Sequence, residues 1–302
     1  MTNFEFEDLK HPPSAIEYLS TCLRKGTLVL FLGAGASKGF GLPNWKDLIN
    51  LLRKEVELPE ITDSPSADDL QHAADEVKTA LKNSDEDFLE LIRKHLYTDS
   101  RNLPLVKLFD NHLLISVSAL LMGSRRGHIS RVVTLNFDSM LEWFLSLYGF
   151  IVKTTFELPD LEGSEDVRIY HPHGFIPHPL LKMKSSDFVI LGMDSVNERL
   201  GTPGEPWFEM TRHILDTGVC LFIGMSGNTL SDRILAPLLN TCGKKSRSKR
   251  PLGVWILKEE LIDKKANEFR NNNIIPISIT SEEEISEFLL NICQKAMADA
   301  NK

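Results

Sequence analysis

Three runs in this chain, LVLFL (28–32), CLFIG (220–224) and VWIL (254–257), carry no polar side chain on either face. A strand with one wet face alternates apolar and polar residues. A run apolar on both faces reads as a parallel strand covered by helices on two sides. With their neighbours these runs become candidate strands at Thr27–Leu32, Val219–Ile223 and Leu252–Leu257. Further candidates are Arg131–Leu135, Phe150–Phe156, Val167–Tyr170, Phe188–Leu191 and Ile274–Ile277. Amphipathic helical segments separate the later strands, at Pro206–Leu215, Leu230–Asn240, Glu259–Arg270 and Glu282–Met297.

Strand–helix alternation of this kind predicts an α/β fold, a Rossmann-like doubly wound and mostly parallel sheet. One stretch departs from it. From Trp45 to about Gly127 the pattern is helical throughout, as in WKDLINLLRKEV and ADDLQHAADEVKTAL. That is far more than an ordinary crossover, so residues 45–127 read as a large helical insertion. A length of 302 residues allows about two domains. The pattern favours a single domain over 1–302, interrupted by that insertion.

Charge and cysteines narrow the function classes. The chain has 34 Lys and Arg against 42 Asp and Glu, a net charge of −8. Steering to a polyanion needs positive potential, so the balance argues against nucleic acid and anionic membrane as general partners. The segment Gly243–Pro251 is a local exception, carrying Lys244, Lys245, Arg247, Lys249 and Arg250. It reads first as a solvated loop and second as a contact for a nucleic acid or an acidic partner. Cys22, Cys220, Cys242 and Cys293 form no CxxC pair. An acidic N-terminus without a signal pattern, and apolar runs too short to span a bilayer, place the expected location in the cytoplasm.

Four motifs carry chemistry, and all fall at strand ends. After the first strand comes Gly33-Ala34-Gly35-Ala36-Ser37, a turn of small residues. Such a turn lets backbone approach a ligand, and free N–H groups there can hold a pyrophosphate, with Ser37 as a hydroxyl donor. It also reads as a plain strand-to-helix turn. A dinucleotide fingerprint G-x-G-x-x-G fits poorly, because Lys38 takes the sixth position. The second motif is TLNFD, in which Asn136 and Asp138 share one face if extended. A helix cap explains Asp138 alone but not Asn136. The third is His171-Pro172-His173-Gly174. Histidine suits proton transfer near neutral pH, whereas a buried and satisfied ring is the bland reading, applied to His171 before His173. A metal site would need a third ligand. The fourth is Gly224-Met225-Ser226, followed by Gly227, Asn228 and, at a helix start, Asp232. Each of these has an adequate turn role alone.

Taken together these motifs resemble the sirtuin (silent information regulator) superfamily, in its bacterial sirtuin-like branch of NAD-degrading anti-phage effectors. GAGAS with GLPNW looks like the family's nucleotide loop, TLNFD its T-x-N-x-D strand end, His173-Gly174 its catalytic His-Gly, and GMSGNTLSD its Gly-x-Ser turn. The resemblance implies NAD+ as substrate and no true cofactor. It puts Gly33, Ala34, Gly35 and Ser37 near the pyrophosphate, and Asn136 and Asp138 at the nicotinamide ribose. His173 becomes the general base, Ser226 lies by the adenosine half, and Gly224 and Asp232 also belong to the NAD-binding set. Trp45 is expected to cover the nicotinamide pocket. Deacylating sirtuins carry a four-cysteine zinc module that this chain lacks, so hydrolysis of NAD+ is expected over deacylation of acyl-lysine. A non-catalytic sensor of NAD or ADP-ribose is the other alternative. The resemblance also implies a silent state released by a partner, a ligand or oligomerisation; a homo-oligomer is expected, and an assembly subunit docking on a partner defence protein such as a motor ATPase is a further alternative that could coexist with catalysis.

Overall fold

The computed structural model describes residues 6–62, 65–98, 108–123, 125–161, 163–179, 188–226, 229–230, 235–247, 249–257, 259–279 and 281–301. Its strands are β1 (Leu28–Leu32), β2 (Arg131–Thr134), β3 (Val152–Thr155), β4 (Val167–Tyr170), β5 (Gly174–Phe175), β6 (Phe188–Val189), β7 (Val219–Ile223), β8 (Gly253–Leu257) and β9 (Ile274–Ser278). Seven of them form one sheet in the order β3-β4-β2-β1-β7-β8-β9, and every neighbouring pair is parallel.

The doubly apolar runs are buried on both sides, as their composition demands. On β1, Leu28, Leu30 and Leu32 join one core while Val29 and Phe31 join the other. β7 divides the same way, with Leu221 and Ile223 opposite Cys220 and Phe222. The first core is closed by α1 (Pro12–Arg24), α5 (His112–Leu121) and α12 (Glu282–Ala300). The second is closed by α8 (Pro206–Thr217), α9 (Leu235–Ser246) and α11 (Ala266–Asn271), through Trp207, Leu239 and Phe269. Phe222 stacks on Trp255 with ring centres 4.6 Å apart. Each such side chain contributes about 1.5–3 kcal/mol through burial.

Helices α2 (Trp45–Glu55), α3 (Ala67–Ala80) and α4 (Asp85–Leu96) pack on one another. Asn44, Ser66 and Ser84 cap them by accepting a backbone N–H three residues on. α3 is tied to the chain beyond the sheet's first half, where Asp75 accepts the Met193 N–H at 3.0 Å. α5, although it lies within 45–127, belongs to the sheet's own helical layer and packs on α12. Its sequence HLLISVSALL buries seven of ten residues, which no exposed insert could satisfy.

Several boundaries differ from the sequence reading. α1 falls in a stretch assigned no element, and two prolines open it. Phe188–Val189 pairs antiparallel with Gly174–Phe175 in a separate two-stranded sheet, not in the main one. The segment 259–270 breaks into α10 (Glu259–Lys264) and α11. The basic segment is partly the end of α9, and its arginines serve the fold. Arg247 donates to the Arg270 and Asn271 carbonyls at the end of α11, and Arg250 to those of Leu215 and Asp216 in the last turn of α8.

Candidate functional site

From β1 the chain passes to β2 on one side and returns later to β7 on the other. The carboxyl end of β1 is therefore the topological switch point, where open α/β sheets bind ligands. A cavity of about 430 Å³ lies there, within the range of small-molecule sites. Gly33, Ala34, Gly35 and Ser37 line it from the turn after β1, Asn136 and Asp138 from the turn after β2, and His173 from beyond β4. Gly224 and Ser226 line it after β7, and Trp45 at the start of α2. Asp232 lies outside the described residues, as do Gly227 and Asn228.

The glycines answer a packing demand first. The Gly33 N–H donates to the Ile223 carbonyl at 2.9 Å and the Gly35 N–H to that of Gly224 at 2.8 Å, so the turns after β1 and β7 interlock. A Cβ on Gly33 would stand 2.7 Å from the Gly224 oxygen, and one on Gly35 2.7 Å from the Gly224 Cα. Gly224 itself has φ +69°, in the left-handed region that favours glycine. This corrects the expectation of a free N–H cradle. Ala36 and Ser37 donate their N–H groups within the turn, to Gly33 and Ala34. Only the Ala34 N–H finds no acceptor among the described residues.

Ser37 also differs from expectation. It is buried, and its hydroxyl donates to Asp138 Oδ1 at 3.0 Å. Asp138 accepts the Met140 N–H on the same oxygen at 3.1 Å. Burial raises its pKa to about 6, the two hydrogen bonds oppose that rise, and the nearby Glu142 charge adds to it. Asn136 donates from Nδ2 to the Gly33 carbonyl at 3.1 Å and to Ser37 Oγ at 3.3 Å. Because a carbonyl only accepts, Nδ2 must face Gly33, which leaves Oδ1 as the free acceptor. It takes no bond from the described residues. Asn136, Ser37 and Asp138 thus form one hydrogen-bonded chain across two strand ends.

The two histidines separate as the sequence suggested. His171 is fully buried, with Nδ1 2.9 Å from the Asn136 carbonyl oxygen and Nε2 2.6 Å from Glu142 Oε1. His173 is half-buried, lines the cavity, and meets the Phe137 ring edge-on at 6.4 Å. Gly174, at φ +107°, makes the turn that sets it there. Trp45 forms part of the wall on the α2 side, and its indole N–H is buried without a partner among the described residues.

Two supporting residues escaped the sequence reading. Glu142 sits in α6 (Met140–Leu147) as the single carboxylate of MLEWFLSL, and it is 2% exposed. A lone acid in an apolar helix was the available signal. Tyr97, just after α4, accepts the Ser139 N–H at 3.0 Å and donates to the Ile176 carbonyl at 2.5 Å. It ties the turn after β2 to the chain after β5, and nothing in its sequence neighbourhood marks it. Among the described residues no group of three or more His, Cys, Asp or Glu could hold a metal ion, and no helix is long and apolar enough to cross a membrane. The four cysteines are free and buried.

A doubly wound parallel sheet with a polar cluster at its switch point is the build of a Rossmann-like α/β domain. Residues 130–277, just under half of the chain, match the family model of the SIR2-like domain. The match runs from just before β2 into β9, so it covers Asn136, Asp138, His173, Gly224 and Ser226 but not β1 or α2 to α5. No curated protein matches the chain.

Proposed function

We propose that this chain is an NAD+ glycohydrolase that cleaves NAD+ to nicotinamide and ADP-ribose. The observation that carries the reading is the convergence of Asn136, Asp138 and His173 on one cavity at the switch point. Breaking the bond to nicotinamide builds oxocarbenium charge on the ribose. The leaving group already bears a positive charge, so the protein's task is positioning and electrostatic support. Asn136 Oδ1 accepts from a ribose hydroxyl or the attacking water. His173 takes a proton from one of them. The Asp138 carboxylate, held by Ser37 and the Met140 N–H, favours positive charge nearby. Trp45 covers the nicotinamide end, the turn after β1 lies by the pyrophosphate, and Gly224, Ser226 and Asp232 serve the adenosine half. NAD+ is the substrate, and the reaction needs no further cofactor.

Unrestrained NAD+ cleavage would drain its own cell. The activity therefore belongs with a silent state, released by self-association or a partner protein, as in cytoplasmic anti-phage defence. The test is incubation with NAD+, with and without an acetylated peptide and across protein concentrations, resolving products by chromatography. Nicotinamide and ADP-ribose without peptide are expected. Release that requires the peptide would instead mark a deacylase, and tight binding without turnover a sensor.

A further inference from the structure

The contacts of His171 raise a question of proton count. Its two nitrogens face two oxygens, the Asn136 carbonyl at 2.9 Å and Glu142 Oε1 at 2.6 Å. A carbonyl accepts only, and an ionised carboxylate accepts only. A neutral imidazole has one N–H, so it satisfies one contact and turns a lone pair towards the other. Both contacts become hydrogen bonds only when the pair holds one further proton, on the ring or on the carboxyl. The side chains are 0% and 3% exposed, so bulk water does not supply the missing donor.

The Asn136 main chain depends on that ring. Its N–H donates to Thr134 Oγ1 at 3.1 Å, and its side chain is fixed by Gly33 and Ser37. The remaining polar group, the carbonyl, meets His171. Neither His171 nor Glu142 lines the cavity. We propose that Glu142 and His171 form a proton-loaded clamp that positions Asn136. With the extra proton the ring donates to the Asn136 carbonyl and holds the turn after β2 so that Oδ1 serves the cavity. Without it the carbonyl loses its donor and the turn loosens. The link to turnover rests on the NAD+-cleaving reading; the clamp itself does not.

Other elements also bear on the pair. Asp138 faces it from the same turn, Tyr97 faces Glu142 from the end of α4, and the Phe175 ring meets the imidazole edge-on at 4.8 Å. Burial brings the Asp138 carboxyl to about 6, so both variants are compared with wild type above that pH, where Asp138 is ionised.

Glu142→Gln gives the sharpest test. A carboxamide N–H donates to Nε2, which leaves Nδ1–H for Asn136 with a neutral ring. The variant is expected to keep NAD+ cleavage within about threefold of wild type at the wild-type optimum, the scale of one ordinary hydrogen bond. His171→Ala is expected to lower kcat by at least about tenfold with KM nearly unchanged, because positioning is lost and binding is not. A loss of cleavage in Glu142→Gln well beyond threefold overturns the clamp, as does a His171→Ala enzyme with wild-type kcat. Where His171→Ala does not fold, the Glu142→Gln rate decides. A readout without NAD+ comes from the ¹⁵N resonances of the His171 ring, which should show a proton on Nδ1 in both wild type and Glu142→Gln. An Nδ1 without a proton in wild type overturns the clamp even if the protein proves not to cleave NAD+.

Discussion

At the end of β2 three side chains meet in one hydrogen-bonded chain, from Asn136 through Ser37 to Asp138. At the end of β7 the described residues that line the cavity are Gly224, Met225, Ser226 and Thr229, and no such side-chain network is found among them. The first end is buried and braced from behind by His171, Glu142 and Tyr97. The second is a left-handed glycine locked against the turn after β1, followed by the exposed Ser226. Functional groups held by several partners keep their geometry at a cost in burial, whereas a backbone turn offers shape alone. The contrast teaches where chemistry and where mere fit are expected, and it can be broken at either end.

The largest effects belong to the braced end. His173→Ala and Asn136→Ala should each lower NAD+ cleavage about 100-fold or more, measured as nicotinamide release, with unfolding midpoints near wild type. Full cleavage in both would remove the assignment. At the glycine lock the expected damage is to stability. Gly224→Ala places a Cβ 2.5 Å from the Ala36 nitrogen at a left-handed position. A loss of about 2–4 kcal/mol is expected in urea unfolding, and a neutral result would show that the two turns are not interlocked in solution.

Asp138→Asn sharpens the comparison further, since it should help the fold and harm the reaction. The folded pKa of about 6 lies above the ordinary carboxyl value of 3.8, so the ionised form is the costly one in the native state. That cost is fully present above about 6 and fades as pH falls towards 3.8. At neutral pH the variant should be more stable by as much as about 3 kcal/mol, and the gain should vanish in acid. Wild-type cleavage should likewise decline as pH drops through about 6 and the carboxylate is neutralised. Ser226→Ala carries the smallest effect. Stability should stay within about 0.5 kcal/mol for an exposed hydroxyl, and KM for NAD+ should rise no more than about tenfold, the share of one hydrogen bond.

Much of the fold was legible because a strand apolar on both faces has few places to go. Thr27–Leu32, Val219–Ile223 and Leu252–Leu257 were readable for that reason, to within a residue or so of β1, β7 and β8. Phe188–Leu191 misled because an apolar run does not state its partner, and Gly174–Phe175 is too short to show a period of two. The polar residues that line the cavity were legible by position, since polar groups at the end of buried strands lack a packing reason. Ser37 makes a contact that the sequence does not show. Its hydroxyl goes to Asp138, 101 residues away, and no local pattern reveals that.

Residue order by itself determined the doubly buried strands, the helical stretch between β1 and β2, and the Gly, Asn, Asp and His residues at strand ends. Those properties follow from periodicity and residue type, which are local. Only the tertiary structure decided that Gly33 and Gly35 need their missing side chains for Gly224, that His171 has two acceptors, and that Asn136 keeps one free oxygen. Each of these depends on where a hydrogen-bond partner lies across the sheet, and donors and acceptors are matched in space, not along the chain.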